Sequence, residues 1–465
     1  MPTECSADQM GFAPVAGRAV MASFGGGKMT SDAGALLLGA TDRAIGLARR
    51  FAACFVDHRA PERVEHLLAT LVGQRVLALA LGYEDLVDHD ALRHDPVLAM
   101  VSGKLSARRS NCAPLAGKST LNRLEHAPAG EPSRYHKIGH DTDLIERLFV
   151  DLFLDAHATA PEEILLDLDA TDDPLHGSQE GRFFHGYYGC YCYLPLYVFC
   201  GDHLLAAKLR RSSIDASAGA ALEVERIVGQ IRTRWPQVRI VLRADSGFAR
   251  EALMSWCEAN RVEYVLGLAR NSRLADEIAA ELAAARTEAE ETGKAARRFK
   301  DFRYRTLDSW SRERRVVGKA EQLMGSSGGP SPNPRFVVTS LDGGAWPAQP
   351  LYERLYCARG EMENRIKECQ LDLFADRTSA ATIRANQLRL WFASMAYVLL
   401  AALRRIALPA TRLARATAGT IRLKLLKIGA LVRVSVRRVT VAMASGHPWQ
   451  PDWAIAHRAL TAAAG

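Results

Sequence analysis

The sequence predicts an α/β protein in which a mixed sheet lies between two mostly helical regions. Residues 161–270 contain short apolar runs typical of strands, with helical segments between the later ones. Residues 31–155 and 348–465 instead repeat apolar residues at helical spacing. Because the early strands follow one another without a helix, we expect hairpin connections at the start of the sheet and helical crossovers later.

The elements of this sheet can be assigned in chain order. We expect strands at EILLDLDA, YLPLYVFC, LLAAKLRR, VRIVLRAD and VEYVLGLA, and helices at AGAALEVERIVGQIRTRW and REALMSWCEAN. Residues 271–345 open with an Ala/Glu-rich helix and continue with two or three alternating strands. Residues 1–30 are rich in glycine, and we expect them to be irregular.

The charge distribution predicts a polyanionic partner. The chain of 465 residues has a hydrophobic fraction of 48%, enough for a sizeable core, and a formal net charge of +8. Between Arg377 and Gln450 there are thirteen Lys and Arg residues and no Asp or Glu. A basic region of this kind, next to a slightly acidic remainder, indicates nucleic acid as the partner.

Other features favour a cytoplasmic protein. The nine cysteines are scattered without a C-x-x-C pair, which is typical of reduced intracellular thiols. The first ten residues lack the basic and apolar regions of a signal peptide. The longest apolar stretch, Leu390 to Leu403, is shorter than a bilayer requires, so we expect a buried helix and no membrane partner.

Two apolar strands are predicted to end in aspartates. Asp169 closes one strand, with Asp167 two residues earlier on the same face, and Asp245 closes another just before a Ser-Gly turn. Each aspartate, taken singly, is also a common turn former or helix cap. Open α/β sheets nevertheless build their sites at the carboxyl ends of strands. With a third carboxylate, these acids would form a site for two Mg²⁺ ions, which prefer hard oxygen ligands.

The segment YCARGEMENRIKECQ, residues 356–370, supplies the third acid. Read as a helix, it places on one stripe four polar side chains: Tyr356, Arg359, Glu363 and Lys367. One interpretation is a solvated helix face held together by ion pairs four residues apart. The other is half of a site that binds a polyanion and a metal together.

The motifs DLDATDD, RADSGF and Y-x-x-R-x-x-x-E with ENRIKE, in this order, resemble those of bacterial insertion-sequence transposases of the DDE class. Asp245 lies 76 residues after Asp169, and Glu363 lies 118 residues after Asp245. The second interval is long because it contains residues 271–345. These residues resemble the β-stranded insertion found in one group of these enzymes. The resemblance covers residues 30 to 440 approximately and implies an RNase H-like catalytic core.

The resemblance implies a catalytic role for each of the three acids. Asp169, followed two residues later by Thr171, matches the first catalytic aspartate, and Asp245 matches the second. Glu363 matches the catalytic glutamate. All three are then expected to be ligands of two Mg²⁺ ions, with Mn²⁺ as a substitute.

The resemblance also assigns DNA contacts to the helix. Tyr356 and Arg359 match the tyrosine and arginine of the family's helix motif. The lysine of that motif is expected where this chain has Gln370, and Lys367, one turn earlier, is the candidate to replace it.

Two further DNA contacts are predicted outside this helix. The basic and apolar residues of TIRLKLLKIGALVRVSVRRV alternate, so that one face can pack while Arg433, Arg437 and Arg438 contact phosphates. Trp310 lies between two strands of the insertion, where an aromatic residue of the resembling enzymes can stack on a flipped base. A tryptophan that packs across strands is the alternative interpretation.

The implied function is a transposase that binds the inverted-repeat ends of its insertion element and catalyses metal-dependent strand cleavage and strand transfer. Its partner would be double-stranded DNA, both element ends and target, bound by a homodimer associated with the nucleoid. A metal-dependent DNA nuclease would need the same acids, and a non-catalytic DNA-binding protein would need only the basic region. Short inverted repeats flanking the encoding DNA would distinguish the transposase from both.

Together these expectations divide the chain into five regions. The predicted fold class is α/β, with an RNase H-like mixed-sheet catalytic core. The regions are a mostly helical N-terminal DNA-binding region (1–155), the first part of the core (161–270), a β-stranded insertion (271–345), the catalytic helix and end of the core (346–405), and a helical basic C-terminal region (406–465).

Overall fold

A computed structural model describes residues 9–126, 133–325 and 329–463. The chain divides into two compact units. The central unit comprises Thr142–Leu371 and Ala375–Ser394, and the terminal unit comprises Met1–Asp141, Asp372–Phe374 and Met395–Gly465. The functional division into five regions stays a prediction.

The strands are β1 (Met10–Val15), β2 (Arg18–Ala22), β3 (Met29–Thr30), β4 (Phe55–Asp57), β5 (Ile138–His140), β6 (Glu163–Ala170), β7 (Asp173–Pro174), β8 (Phe183–His185), β9 (Cys190–Tyr193), β10 (Leu196–Cys200), β11 (His203–Lys208), β12 (Arg239–Ala244), β13 (Glu263–Leu268), β14 (Ala296–Tyr304), β15 (Arg314–Gly325), β16 (Gly329–Pro332), β17 (Arg335–Thr339), β18 (Ala430–Val434) and β19 (Val439–Met443).

The α-helices are α1 (Ala35–Ile45), α2 (Leu47–Ala52), α3 (Leu68–Ala80), α4 (His89–Leu92), α5 (Pro96–Val101), α6 (Lys118–Glu125), α7 (Thr142–Asp155), α8 (Ala220–Arg234), α9 (Glu251–Ala259), α10 (Ser272–Glu277), α11 (Ala279–Thr292), α12 (Ala348–Pro350), α13 (Gly360–Lys367), α14 (Ile383–Ala407), α15 (Ala418–Ile421) and α16 (Gln450–Ala463).

The central unit contains a nine-stranded mixed sheet in the order β11-β10-β6-β12-β13-β17-β15-β14, with β16 paired to β15. Strands β6, β10 and β11 are antiparallel neighbours, whereas β12 runs parallel to both β6 and β13. Helices α8 and α9 are the crossovers between the parallel strands. The predicted RNase H-like core, with early hairpins and later crossovers, is confirmed.

Burial on both faces explains why the central strands are almost continuously apolar. Every residue of β12 after Arg239 is buried, and one face of the sheet packs on α8 through Val224, Ile227 and Ile231. These helix residues recur at spacings of three and four, which gives α8 one apolar stripe toward the sheet. The burial pattern therefore holds the strand ends in fixed positions.

The strands of the predicted insertion extend this same sheet. Strand β17 pairs antiparallel with β13 and also with β15, and β15 pairs along its length with β14. A core edge is thereby covered by further strands, and the edge hydrogen-bonding groups of β13 are satisfied.

In the terminal unit, two expectations about secondary structure are wrong. Strands β1 and β2 form a hairpin within residues 1–30, of which residues 1–8 lie outside the described residues. Its two-residue loop has positive φ at Ala16 and Gly17, the geometry of a tight hairpin turn. Every residue of both strands is exposed, so the sequence has no alternating core pattern that predicts them.

The basic C-terminal region, 406–465, is not wholly helical. Strands β18 and β19 form a hairpin, and β18 also pairs with β3. Valines at alternating positions favour extended structure because β-branched side chains pack well on a pleated surface. Residues 464 and 465 lie outside the described residues.

Helix α14 contains the long apolar stretch of the sequence. It is long and apolar enough to cross a membrane by length and composition alone, but 83% of its most apolar window is buried. The predicted buried helix is therefore confirmed.

A buried ion pair joins the two strands that end in the candidate aspartates. Arg243 of β12 donates to both carboxylate oxygens of Asp167 of β6, over 2.5 and 2.8 Å. The same guanidinium donates to the backbone oxygen of Leu355, in the helical segment before α13. Both side chains are at most 6% exposed, so each charge depends on the other for solvation.

We expect Asp167→Asn to lower the free energy of unfolding by about 3–5 kcal/mol, because it leaves the Arg243 guanidinium buried without a counter-charge. Urea denaturation of the purified protein measures the loss. The matched control is Glu290→Gln, which breaks the exposed Arg286–Glu290 pair of α11 and should leave the midpoint unchanged. Equal effects of the two variants would contradict the structural role of the Asp167–Arg243 pair.

Candidate functional site

Asp169 and Asp245 lie side by side at the carboxyl ends of adjacent parallel strands. The β6–β12 ladder ends with Leu168 opposite Ala244, so each aspartate is the next residue of its strand. Parallel register thus brings together two acids that are 76 residues apart in sequence.

Asp245 has one oxygen in a structural role. Its Oδ1 accepts a hydrogen bond of 2.8 Å from the backbone N–H of Gly247, which caps the short 3₁₀ turn Ser246–Phe248. The interpretation of Asp245 as a cap is therefore correct for one oxygen. The other accepts no hydrogen bond from a described residue, so a capped aspartate can still contribute a ligand atom.

Arg359 joins Asp169 of the sheet to Glu363 of the helix. Its two terminal nitrogens donate to Asp169 over 3.2 Å and to Glu363 over 3.1 Å. The side chain of Glu363 is 47% exposed, whereas those of Asp169 and Arg359 are 14% and 17% exposed. The predicted pair between Arg359 and Glu363 is present, but the guanidinium also reaches the sheet.

The electrostatics of Asp169 reflect a cluster of carboxylates. Burial raises its pKa to about 6, while Arg359 opposes the rise and the negative charges of Asp245 and Glu363 add to it. Burial lowers the pKa of Arg359, but Asp169 and the neighbouring acids outweigh burial and raise it overall. The three acids therefore share one electric field, which Arg359 partly neutralises.

The helix that carries Glu363 is wound irregularly. Leu351–Tyr356 is a π-helical segment, Cys357–Arg359 is a 3₁₀ turn, and a regular α-helix begins only at Gly360. Changes of winding of this kind are frequent at functional sites because they reorient single side chains. The segment is helical as predicted, but a regular helical wheel describes only part of it.

Tyr356 packs against the turn that holds Asp245. Burial raises the pKa of its phenol. A side chain on Gly267 of β13 would lie 2.5 Å from the Tyr356 hydroxyl and 2.8 Å from the backbone nitrogen of Ser246. Only glycine at this strand position lets the tyrosine and the aspartate turn approach so closely.

The two candidates for the motif's lysine position have different environments. Lys367 is exposed at the end of α13, and no described carboxylate pairs with it. Gln370 is partly buried and donates a 3.0 Å hydrogen bond to the backbone oxygen of Asp172. The glutamine has a structural contact, and Lys367 is the side chain whose charge is available to a ligand.

Trp310 is 3% exposed and belongs to the hydrophobic core of the central unit. Its ring meets that of Tyr304 edge-on at 5.8 Å, and the Arg314 guanidinium lies 5.4 Å from its centre. Arg314 in turn pairs with Glu251 and Glu258. The packing alternative accounts for this environment, and no ring face is open to a base.

Arg433, Arg437 and Arg438 lie together on the β18–β19 hairpin of the terminal unit. All three are exposed, and the backbone N–H of Ser435 donates to the oxygen of Arg438 to close the turn. The hairpin thus presents three cations on a short rigid element.

The oxygen donors of Asp169, Asp245 and Glu363 fit a hard divalent ion in chemistry. Among the described residues, however, no three His, Cys, Asp or Glu side chains lie close enough to form a metal-binding group. Arg359 lies between two of the candidate ligands and supplies the positive charge there. A guanidinium thus bridges two residues whose oxygens fit a divalent ion in chemistry.

Two contributors to the site were missed at the sequence level. Arg243 stands in the apolar run IVLRAD, and a charged residue in a buried strand signals a buried partner, here Asp167. Gly267 stands in the strand VEYVLGL, where an isolated glycine signals a close approach of another group. Both signals were present, but neither identifies the partner without the fold.

The family model that the chain matches agrees with the motifs. Residues 12–464 match the family model described as transposase DDE domain, group 1. No curated protein matches the chain. A solved structure titled as the piggyBac transposase synaptic complex with hairpin DNA is 10% identical, with 85% of this chain and 79% of that chain covered and a TM-score of 0.41.

We expect Arg359→Gln to increase the thermal stabilisation of the protein by Mg²⁺ or Mn²⁺ without DNA. Removing the guanidinium removes a competitor for the carboxylates, and ligand binding to the folded state raises its stability. A tenfold gain in ion affinity corresponds to about 1.4 kcal/mol, or a few degrees in Tm. Thermal unfolding with and without the ion measures the shift.

Arg354→Gln is the matched control, since Arg354 is an exposed arginine in the same helical segment. It should respond to the ions as the wild-type protein does. If Arg359→Gln also responds as the wild type does, Arg359 does not compete with the ion.

Proposed function

The chain belongs to the DDE transposases of group 1, and on that premise we propose that it cleaves and joins DNA at the ends of its own insertion element through Asp169, Asp245 and Glu363. As a member of this family it is a phosphoryl-transfer enzyme, which sets aside the non-catalytic alternative, and strand transfer distinguishes it from a simple nuclease. The observation that carries the proposal is that Arg359 donates both to Asp169 and to Glu363, while Asp245 follows the adjacent parallel strand at the same level as Asp169.

DDE transposases use divalent metal ions, and we propose Mg²⁺ as the ion here, with Mn²⁺ able to replace it. Such ions activate the attacking oxygen and stabilise the leaving oxygen at a phosphodiester. Asp169 and Asp245 would hold them from rigid strand ends, and Glu363 would add its carboxylate from α13. In-line displacement tolerates little misplacement, which favours ligands on strands and helices over ligands on loops.

Arg359 has a second role in this proposal. A guanidinium binds a phosphate through two parallel hydrogen bonds, as it binds carboxylates. When DNA and the ion arrive together, Arg359 exchanges its carboxylates for a phosphate of the DNA end. The Tyr356 hydroxyl then donates to a phosphate oxygen, and the exposed Lys367 adds a positive charge one turn beyond Glu363.

We propose that the terminal unit binds the inverted repeats of the element and contacts the phosphate backbone of other DNA. A cavity of about 410 Å³ in this unit is lined by six basic side chains: Arg59, Arg63, Arg109, Arg123, Arg134 and Lys137. Its one acid, Glu65, is 2.6 Å from Lys104, which neutralises it. Arg123 and Lys137 pair with no described carboxylate, so their charges are available to phosphates.

We propose that the protein assembles as a homodimer on DNA. A homodimer in the DNA complex would let the two ends of one element be cut in concert. The protein would act in the cytoplasm, associated with the nucleoid when bound to DNA. Short inverted repeats at the borders of the encoding DNA would support this biology directly.

We expect Asp169→Ala, Asp245→Ala and Glu363→Ala each to abolish Mg²⁺-dependent nicking of a labelled element end while end binding stays largely intact. The carboxylates serve the ions rather than the DNA, so their loss removes the chemistry and keeps the contacts. Gel analysis of nicking and a filter-binding assay measure the two properties separately.

Glu361→Ala is the matched control, because Glu361 is an exposed acid on the same helix outside the stripe. It should nick normally. Normal nicking by Asp169→Ala would remove this aspartate from the site, and loss of nicking in Glu361→Ala would mean that the assay reports the integrity of the helix.

We also expect replacement of Arg433, Arg437 and Arg438 by Gln to flatten the salt dependence of DNA binding. Each phosphate contact releases counterions and contributes about 0.9 to the slope of log K against log salt, so the slope should fall by up to about three units. Affinities measured over a range of NaCl concentrations give the slope.

The control for this variant replaces three exposed arginines elsewhere in the terminal unit, Arg43, Arg49 and Arg458. The net charge then changes by the same amount in both proteins. Equal slopes in the two variants would show that the hairpin arginines act only through net charge.

A further inference from the structure

A hairpin inserted between the first two core strands exposes an unusual number of aromatic rings. It runs from Arg182 to Tyr193 and contains β8 and β9; we call it the aromatic hairpin. Four of its rings are exposed: Phe183 by 49%, Phe184 by 49%, Tyr187 by 87% and Tyr191 by 44%. Among the described residues of the central unit, no other Phe, Tyr or Trp is exposed to this extent.

The base of the aromatic hairpin is tightly held. The Tyr193 hydroxyl donates to the backbone oxygen of Glu180 over 2.6 Å, and the Ser212 hydroxyl donates to that of Cys192 over 2.7 Å. The backbone N–H of Glu180 donates to Ala381, and its carboxylate accepts from the N–H of Ile383 at the start of α14. The exposed rings are therefore displayed from a fixed support.

The rings also brace one another. Phe184 and Tyr191 meet edge-on with centres 5.5 Å apart, and Tyr187 and Tyr188 do so at 5.0 Å. The Arg182 guanidinium lies 4.4 Å from the centre of the Tyr191 ring. Edge-on packing fixes the rings without covering both faces of each, and Arg182 places a cation beside them.

The hairpin lies next to the catalytic carboxylates. Strand β9 pairs with β7, whose first residue, Asp173, follows Asp169 by four positions. Burial, and then the negative charges of Asp172 and Asp169, raise the pKa of Tyr188 to about 12. Tyr188, near the tip of the hairpin, is therefore near Asp172 and Asp169.

We propose that the aromatic hairpin binds unpaired bases of the DNA end beside the catalytic acids by stacking them on its exposed rings. The inference rests on the proposed function, which brings DNA to these acids. A nucleic acid offers flat apolar bases for the rings and phosphates for Arg182. In a duplex the faces of each base are covered by its neighbours, so only an unpaired or extruded base can stack on protein.

In this proposal, the surface on which an unpaired base stacks is formed by the exposed rings of the aromatic hairpin near the carboxylates. Trp310, the candidate from the sequence, is enclosed by Tyr304 and Arg314. Stacking on an aromatic side chain stabilises an unpaired base, and every base has a face to stack, so the platform needs no particular sequence. Opening of the terminal base pairs at the cut would then be favoured where the chemistry occurs.

The test measures binding of two DNA probes in metal-free buffer, where no cleavage occurs. One probe is a duplex with a short single-stranded 3′ tail that contains 2-aminopurine, whose fluorescence falls when it stacks. The other is the same duplex fully paired. We expect the wild-type protein to bind the tailed probe more tightly and to quench it.

Tyr187→Ala should weaken binding of the tailed probe by about fivefold or more and reduce the quenching, while binding of the paired probe is unchanged. Tyr187→Trp should restore both properties because it restores a flat ring. Leu222→Ala, which truncates a 72% exposed apolar residue of α8, is the matched control and should behave as the wild type.

Unchanged affinity and quenching in the double variant Tyr187→Ala, Tyr191→Ala would overturn the inference, as would a wild-type protein without preference for the tailed probe. Both side chains are exposed, so their loss leaves the core intact. Nicking of element ends in Mg²⁺ is measured separately, and its failure would count against the proposed function rather than against the stacking of bases.

Discussion

The buried pair of Asp167 and Arg243 is the contact on which the geometry of the site depends. It lies two residues before both strand-end acids and joins their strands side chain to side chain. Because Arg243 also donates to Leu355, the same guanidinium fixes the helical segment that leads to α13. One buried cation thus links the strands of the two aspartates. It also fixes the position of the helical segment that leads to Glu363. An uncompensated charge at this place would be strongly unfavourable, which favours keeping the three elements in contact.

Three neighbouring carboxylates repel one another, and the positive charge of Arg359 reduces this repulsion. Desolvation of Asp169 and the charges of Asp245 and Glu363 all favour protonation, whereas Arg359 favours the ionised form. The guanidinium therefore performs, in the protein alone, part of the neutralisation that divalent ions perform in an active DDE enzyme. Exchange of Arg359 from carboxylate to phosphate would link ion binding to DNA binding, since each frees a partner that the other needs.

Strands are predictable from the sequence where burial imposes an apolar pattern on them. The strand that carries Asp169 is predicted residue for residue as Glu163–Ala170, and β12 is predicted within one residue at each end, because buried strands are nearly continuous apolar runs. The β1–β2 hairpin has no pattern that predicts it because all its residues are exposed, and the C-terminal region as a whole is predicted as helical although the valines of its hairpin alternate. For Trp310, sequence could place the residue near a turn but could not show which face of the insertion the ring packs on. Side-chain neighbours such as Gly267 and Tyr356 depend on pairing between distant segments, which no local pattern encodes.

The three acids differ in how firmly the fold holds them, and this difference bears on how the site assembles. Asp169 and Asp245 end buried strands whose register is fixed by the ladder and by the Asp167–Arg243 pair. Glu363 is about half exposed on a helix that begins with π and 3₁₀ turns, and among the described residues its side chain contacts the sheet through Arg359. Two of the proposed ligands are therefore held by the strands, and the third is held less firmly. Release of Arg359 by a DNA phosphate would permit Glu363 to close on an ion already held by the aspartates, so the complete site would form only on DNA.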